Sequence, residues 1–301
     1  MAAGAGEWGI ELRSSPVDGF SLAYERSGAG APVLLLHGWP GRRTDYRSVV
    51  PLLHEAADVV VPDLRGFGRS DKHAVPAADG YGAAAQARSV IGLMDELGLE
   101  TAVLAGYDIG SRIAQTVART APRRVRALVL APPLPGPGER VLTPEAQREF
   151  WYQPFHQLEL AAELIDGRPD AVRHYLRHFW SHWSGPGFEL AQADLERLVE
   201  SYAEPGAFVA SIGWYRAGSG TVASSLAEIS APRPEPIGVP TRVLWPEHDP
   251  LFPRAWGDRL GDHFARVSIT ALHCGHFSPL EAPGDFATAI RAALASAQAP
   301  P

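Results

Sequence analysis

The chain has 301 residues, 46% of them hydrophobic and 20% charged, the proportions of a soluble globular protein long enough for one large domain with an insertion. A formal net charge of −7, with no basic run and no basic–aromatic alternation, argues against a nucleic-acid partner. The single cysteine, Cys274, excludes an internal disulfide and a thiolate metal cage, and Met1 to Leu12 carry neither signal-peptide nor membrane-spanning character, so a cytoplasmic protein with no membrane partner is expected.

Along the chain, Phe20 to Glu25 alternates like an antiparallel strand, and Pro32 to Leu36 is a continuous apolar run suited to a buried one. Asp58 to Val61 reads as the next strand, and Tyr81 to Leu97 as an Ala-rich helix with Gly98 as its C-terminal cap. A strand over Thr101–Ala105, a helix to Thr120 stopped by Pro122, and a strand over Val125–Ala131 follow. Such alternation predicts a mainly parallel sheet covered by helices on both faces. The character then changes at the proline-rich stretch Ala131–Gly138. From about residue 139 to 230 the pattern is helical and rich in Trp, Tyr, Phe and His, and a second proline-rich stretch, Ala231–Pro236, closes it. Strands resume at Thr241–Trp245 and Arg266–Leu272, before a final Ala-rich helix over Ala282–Ala297. The expected division is a core over 1–133, a helical insertion over 134–235, and the rest of the core over 236–301.

Gly106-Tyr107-Asp108-Ile109-Gly110 joins the 101–105 strand to the next helix. A strand turning sharply into a helix through Gly-x-nucleophile-x-Gly is a nucleophile elbow, here with a carboxylate in the centre. The glycines give room for a strained backbone, and the N–H of Ile109, at a helix start, can donate to developing negative charge. An aspartate at this point also suits simple helix capping, so the pentapeptide leaves both roles open.

Further motifs stand at later strand ends. His37-Gly38-Trp39-Pro40 follows the strand ending at Leu36, and Asp63 to Asp71 forms a Gly-rich loop that lacks the third glycine and acidic partner of a dinucleotide site. Glu247-His248-Asp249-Pro250 and Cys274-Gly275-His276-Phe277 leave the last two strands. Taken together, these motifs resemble those of α/β-hydrolases of the epoxide hydrolase and dehalogenase branch, and the resemblance spans nearly the whole chain. It implies an α/β-hydrolase fold with a mainly parallel sheet of about eight strands and an inserted helical cap. It further implies Asp108 as nucleophile, Asp249 as the acid in preference to Glu247, and His276 as the base, in the family's chain order. Backbone N–H groups of Trp39 and Ile109 would form the oxyanion hole, with His37 and Pro40 beside the substrate, His37 chiefly fixing its turn.

In epoxide hydrolases two cap tyrosines assist the leaving oxygen. Phe150-Trp151-Tyr152-Gln153 and Gly213-Trp214-Tyr215-Arg216 resemble those motifs, which implies Tyr152 and Tyr215 as donors and Trp151 as a further substrate-binding residue. Phenol stays protonated at neutral pH, with a reference pKa of about 10. The implied reaction is ring opening by Asp108 to a covalent ester, then its hydrolysis by water that His276 activates. The partners are a small epoxide with an apolar or aromatic body and water, and neither cofactor nor metal is required. Two departures bear on the substrate. Ile109 stands where many epoxide hydrolases have Trp, and Arg112 stands where haloacetate dehalogenases hold the substrate carboxylate, although it can equally pair with a protein carboxylate. The alternatives are therefore a haloacid or haloalkane dehalogenase using the same trio, and, further off, a non-catalytic small-molecule-binding protein. His174, His178 and His182 recur at a spacing that can chelate a metal but also describes an ordinary polar helix face, and His273 reads as structural.

Overall fold

The computed structural model describes residues 4–5, 9–232 and 234–296. Most of the leading segment, Arg233 of the second proline-rich stretch and Ala297 at the end of the expected last helix lie outside the described residues. Among the described residues nine strands form one sheet: β1 (Gly4–Ala5), β2 (Ile10–Arg13), β3 (Ala23–Ser27), β4 (Ala31–Leu36), β5 (Ala57–Pro62), β6 (Ala102–Gly106), β7 (Val125–Leu130), β8 (Thr241–Pro246) and β9 (Val267–Leu272). Their order is β1-β2-β3-β5-β4-β6-β7-β8-β9, antiparallel from β1 to β5 and parallel across the rest. The two leading strands have no counterpart in the sequence reading. β1, the edge strand, is too short to carry a pattern, and β2 beside it lacks a fully buried residue.

The central strands are apolar without alternation because helices cover both faces: β5 and β6 are buried along their whole length. Helices α1 (Ala77–Gly80), α2 (Ala83–Glu96) and α3 (Ile109–Thr120) lie between strands of the first half, and α11 (Ser278–Glu281) and α12 (Pro283–Ser296) follow β9. The expected helix from Tyr81 begins two residues later, since Tyr81 and Gly82 leave the short α1 turn with non-helical backbone. Gly98, at φ +66°, ends α2 in the left-handed region that a side chain would strain. The Asp63–Asp71 loop is structural: Asp63 accepts from the backbone N–H of Arg43 and of Arg69, each at 2.9 Å, and the buried Arg43 guanidinium also meets Glu11 and Glu25.

Between β7 and β8 the elements among the described residues are all helices: α4 (Pro144–Glu149), α5 (Tyr152–His156), α6 (Glu159–Ile165), α7 (Pro169–Trp183), α8 (Gln192–Tyr202), α9 (Ala207–Arg216) and α10 (Thr221–Ser230), beside a short 3-10 turn. This inserted cap packs by amphipathic helices. On α7 the buried residues Val172, Leu176, Phe179, Trp180 and Trp183 recur at helical spacing and face the core. Among the described residues no helix is long and apolar enough to cross a membrane.

Candidate active site

The sharpest backbone feature is Asp108. It joins β6 to α3 at φ +50°, ψ −129°, one of two non-glycine residues with positive φ among those described. Such a conformation costs on the order of 1–3 kcal/mol and persists only where the surroundings impose it. They do so here by close approach. A Cβ on Gly110 would lie 2.0 Å from the Leu36 carbonyl oxygen, and one on Gly38 would lie 2.6 Å from the Asp108 Cβ. Larger residues at either place would push the elbow off β4, so the glycines bring the Asp108 side chain against the His37–Pro40 turn.

That turn supplies the donor. The Trp39 backbone N–H donates to Asp108 Oδ1 at 2.7 Å, and Ile109 opens α3 directly after the carboxylate. The Trp39–Pro40 peptide bond is cis. Both ring nitrogens of His37 are engaged by backbone: its Nδ1 is 2.9 Å from the Gly38 carbonyl oxygen and its Nε2 accepts the Leu64 N–H at 3.0 Å. Burial pushes its pKa down to about 4, which keeps the ring neutral and able to accept. Pro40 meets the cap through its carbonyl, which accepts the Trp180 indole N–H at 3.1 Å.

Two loops complete the sheet side. His276, on the loop after β9, sets Nδ1 2.8 Å from Asp249 Oδ2 and Nε2 3.5 Å from Asp108 Oδ2. Asp249, on the loop after β8, is fixed in turn by the Leu251 N–H on its Oδ1 at 2.9 Å. Glu247 is half exposed and points to His273 on the surface, 3.9 Å away. Burial would lower the His276 pKa, but the Asp249 and Asp108 carboxylates outweigh it and raise it to about 10. The resting site therefore holds an imidazolium between two carboxylates.

The cap brings two phenols to this trio. Tyr152 on α5 and Tyr215 on α9 are both buried and pack edge to face, with ring centroids 5.5 Å apart. Burial, with the Asp108 charge close by, drives both phenols further above their ordinary pKa, so both stay protonated. Tyr152 stacks on the Trp39 indole at 5.5 Å and 5°, and its oxygen accepts from Gln153 Nε2 at 3.2 Å. Gln153 is anchored by the Val222 N–H on its Oε1 at 3.0 Å.

Some expected contacts do not form. Trp151, although next to Tyr152, is 39% exposed and packs on the outer side of Phe179 and against His178, because successive residues of a helical turn point apart. Arg112 lies one turn beyond Asp108, but its guanidinium turns to α10, 3.1 Å from Ser224 Oγ and 3.6 Å from Glu228. Of its two readings, pairing with a protein carboxylate is the one realised. His178 and His182 stack, with His182 against Glu149 at 2.7 Å, and among the described residues no group of His, Cys, Asp and Glu is arranged to hold a metal ion. The remaining walls, Phe179, Trp183 and His156, had no motif to mark them. Trp183 stands over the His276 ring at 5.0 Å. His156 lies 4.8 Å from Tyr215, with burial pushing its pKa down to about 3. The periodic apolar face of α7 marks Phe179 and Trp183 as buried residues, not as walls of a site.

Comparison with known proteins matches residues 31–283 to the α/β hydrolase fold family. The chain is 28% identical to a soluble epoxide hydrolase of Corynebacterium sp. strain C12, over 91% of this chain and 93% of that one. It is 31% identical to a haloalkane dehalogenase of Bradyrhizobium diazoefficiens, over 78% and 71%. A crystal structure of an α/β-hydrolase-fold protein from Nostoc sp. PCC 7120 superposes with a TM-score of 0.83 at 26% identity, covering 94% of this chain and 97% of that one.

Proposed function

The chain belongs to the α/β-hydrolase fold family, and from that premise we propose that it hydrolyses an epoxide to a vicinal diol through a covalent ester on Asp108. The observation that carries this reading is the pair of buried phenols, Tyr152 and Tyr215, packed edge to face at 5.5 Å beside a carboxylate strained into position. An epoxide leaves as a strongly basic alkoxide, which needs a proton or strong donors as the C–O bond breaks. Tyr152, whose oxygen already accepts from Gln153, can turn its own O–H to that oxygen.

In the first step Asp108 attacks a ring carbon, the C–O bond breaks, and the alkoxide takes a phenolic proton. Esterification removes the Asp108 charge and with it one of the two carboxylates that stabilise the His276 imidazolium. Its proton then passes to the phenolate left by ring opening, restoring the phenol, and the neutral ring, oriented by Asp249, takes a proton from water as that water attacks the ester carbonyl. The oxyanion falls to the N–H of Trp39, already 2.7 Å from Asp108 Oδ1, and to that of Ile109. On collapse the ester C–O bond breaks, the departing oxygen takes the remaining proton of the attacking water, and the carboxylate and the diol are released. The aromatic walls suit an apolar or aromatic substrate body, and the reaction uses no cofactor.

Haloalkane dehalogenation is the second reading, favoured by the Trp39 Nε1–H, which is buried with no partner among the described residues, since an indole N–H suits a halide. Single-turnover reaction of styrene oxide and of a haloalkane in heavy-oxygen water, with mass analysis of the Asp108 peptide, separates the two. Label in Asp108 with diol is the expected result. Label with halide release alone moves the enzyme to dehalogenation, and turnover without label removes Asp108 as nucleophile.

A further inference from the structure

The catalytic histidine loop is gripped by a carboxylate outside the trio. Glu281, the last residue of α11, accepts from the Gly275 N–H at 2.7 Å and the Gly185 N–H at 2.8 Å through Oε2, and from the Phe277 N–H at 3.0 Å through Oε1. Gly275 and Phe277 flank His276, and Gly185 lies on the cap just beyond α7. The His276 N–H itself donates to the Trp183 carbonyl at 2.8 Å. Cap and loop approach so closely that a Cβ on Gly275 would fall 2.1 Å from the Gly185 nitrogen. Trp180 stacks on Phe277 at 3.6 Å, and Trp183 stands against the His276 ring. Every backbone amide from 275 to 277 is thereby tied either to Glu281 or to the end of α7.

We propose that Glu281 is a positioning residue for His276, clamping the histidine loop to the end of cap helix α7 so that the imidazole stays in line with both Asp108 and Asp249. The geometry requires such a clamp. His276 Nε2 is 3.5 Å from Asp108, a separation with little slack, and the loop has no regular secondary structure of its own before Ser278. A carboxylate that accepts three amides in one place fixes the loop more firmly than solvent contacts would. Rings of the same cap helix line the site, so the clamp also keeps histidine and cap in register.

The consequence rests on the two-step reading: His276 acts in ester hydrolysis, whereas ring opening needs Asp108 and the phenols. Loosening the clamp therefore slows the second step selectively. The test is Glu281→Asp, which keeps the charge but withdraws the carboxylate by one methylene, too far to reach all three amides. Rapid quench with styrene oxide and intact-mass detection should give ester formation within about twofold of wild type and hydrolysis slower by about 10- to 100-fold, with ester accumulating. These are single-turnover rate constants, independent of how much of the variant is folded. Amide exchange at Gly185, Gly275 and Phe277 should rise together. Equal slowing of both steps, or a lowered Tm with both rate constants unchanged, would overturn the proposal. If wild type forms no Asp108 ester, the two-step reading fails on its own. Glu281 is then judged by NMR titration of His276, whose pKa should fall in Glu281→Asp as the ring drifts from its carboxylates; an unchanged value would overturn the clamp.

Discussion

The two halves of this site are held by different forces. On the sheet side, Asp108, Asp249 and His276 leave the ends of β6, β8 and β9, and backbone groups hold them: the Trp39 N–H on Asp108, the Leu251 N–H on Asp249, and the Trp183 carbonyl on the His276 N–H. On the cap side, Tyr152 and Tyr215 come from separate helices and are located by ring packing against Trp39, His156, Phe179 and each other. Backbone contacts survive exchange of most neighbouring side chains, whereas ring contacts change with every substitution. In the proposed reaction the nucleophile's chemistry is thus built into the frame, and the leaving group's chemistry into a lining that substitution can alter without disturbing the frame.

Asp108→Asn tests the frame and carries the largest effect. It keeps the shape and removes the nucleophile, so single-turnover ester formation should fall by at least about 10⁴-fold for every substrate, epoxide or halide. The same variant bears on His276. With one facing carboxylate gone, its pKa should drop from about 10 in an NMR titration. The sign for stability follows. A histidine whose folded pKa is raised stabilises the fold below its unfolded value of about 6.5, and that contribution disappears as pH rises through the folded value. Urea unfolding at pH 6 and at pH 10.5 should accordingly differ less in Asp108→Asn than in wild type.

The lining is tested by Tyr152→Phe and Tyr215→Phe. Each should lower kcat/KM for epoxide by about 10²-fold, the usual scale for a general acid, while changing a halide substrate by no more than about threefold. A matching loss on both substrates would break the division, because the phenols would then serve the frame rather than the leaving group.

The same division explains what could be read from the sequence. Asp108, Asp249 and His276 lie where short motifs meet strand ends, and strands with local glycines leave a one-dimensional trace; the elbow even announces the clash that Gly110 avoids against Leu36. The central strands and the helical character of the insertion were legible for the same reason, since unbroken apolar runs and helical periodicity survive in one dimension. The cap side was legible only where it resembled a known pattern. Nothing local marks His156 or Trp183 as walls, because their role depends on how α5, α7 and α9 cross. Trp151 illustrates the converse: adjacent to Tyr152 in sequence, it faces outward.

Arg112 marks the boundary between the two halves and yields the smallest effect. It rises from α3, one turn past the nucleophile, yet its guanidinium is 13% exposed and reaches cap helix α10, at 3.1 Å from Ser224 and 3.6 Å from Glu228. It also lines a cavity of about 1090 Å³, with Trp214, Glu228 and His263, that includes no member of the trio. Arg112→Met keeps the side chain's bulk and removes the long ion pair, while Glu228 retains its bond from the Gly136 N–H at 3.0 Å. Stability should fall by about 1 kcal/mol, read as a modest drop in Tm. Because the charge faces α10 rather than Asp108, kcat/KM should stay within about twofold of wild type for styrene oxide and for a haloacetate alike. A loss confined to the haloacetate would mean that the guanidinium swings to the substrate in the working enzyme. The lining would then reach down into α3, and frame and lining would share a residue one turn from the nucleophile.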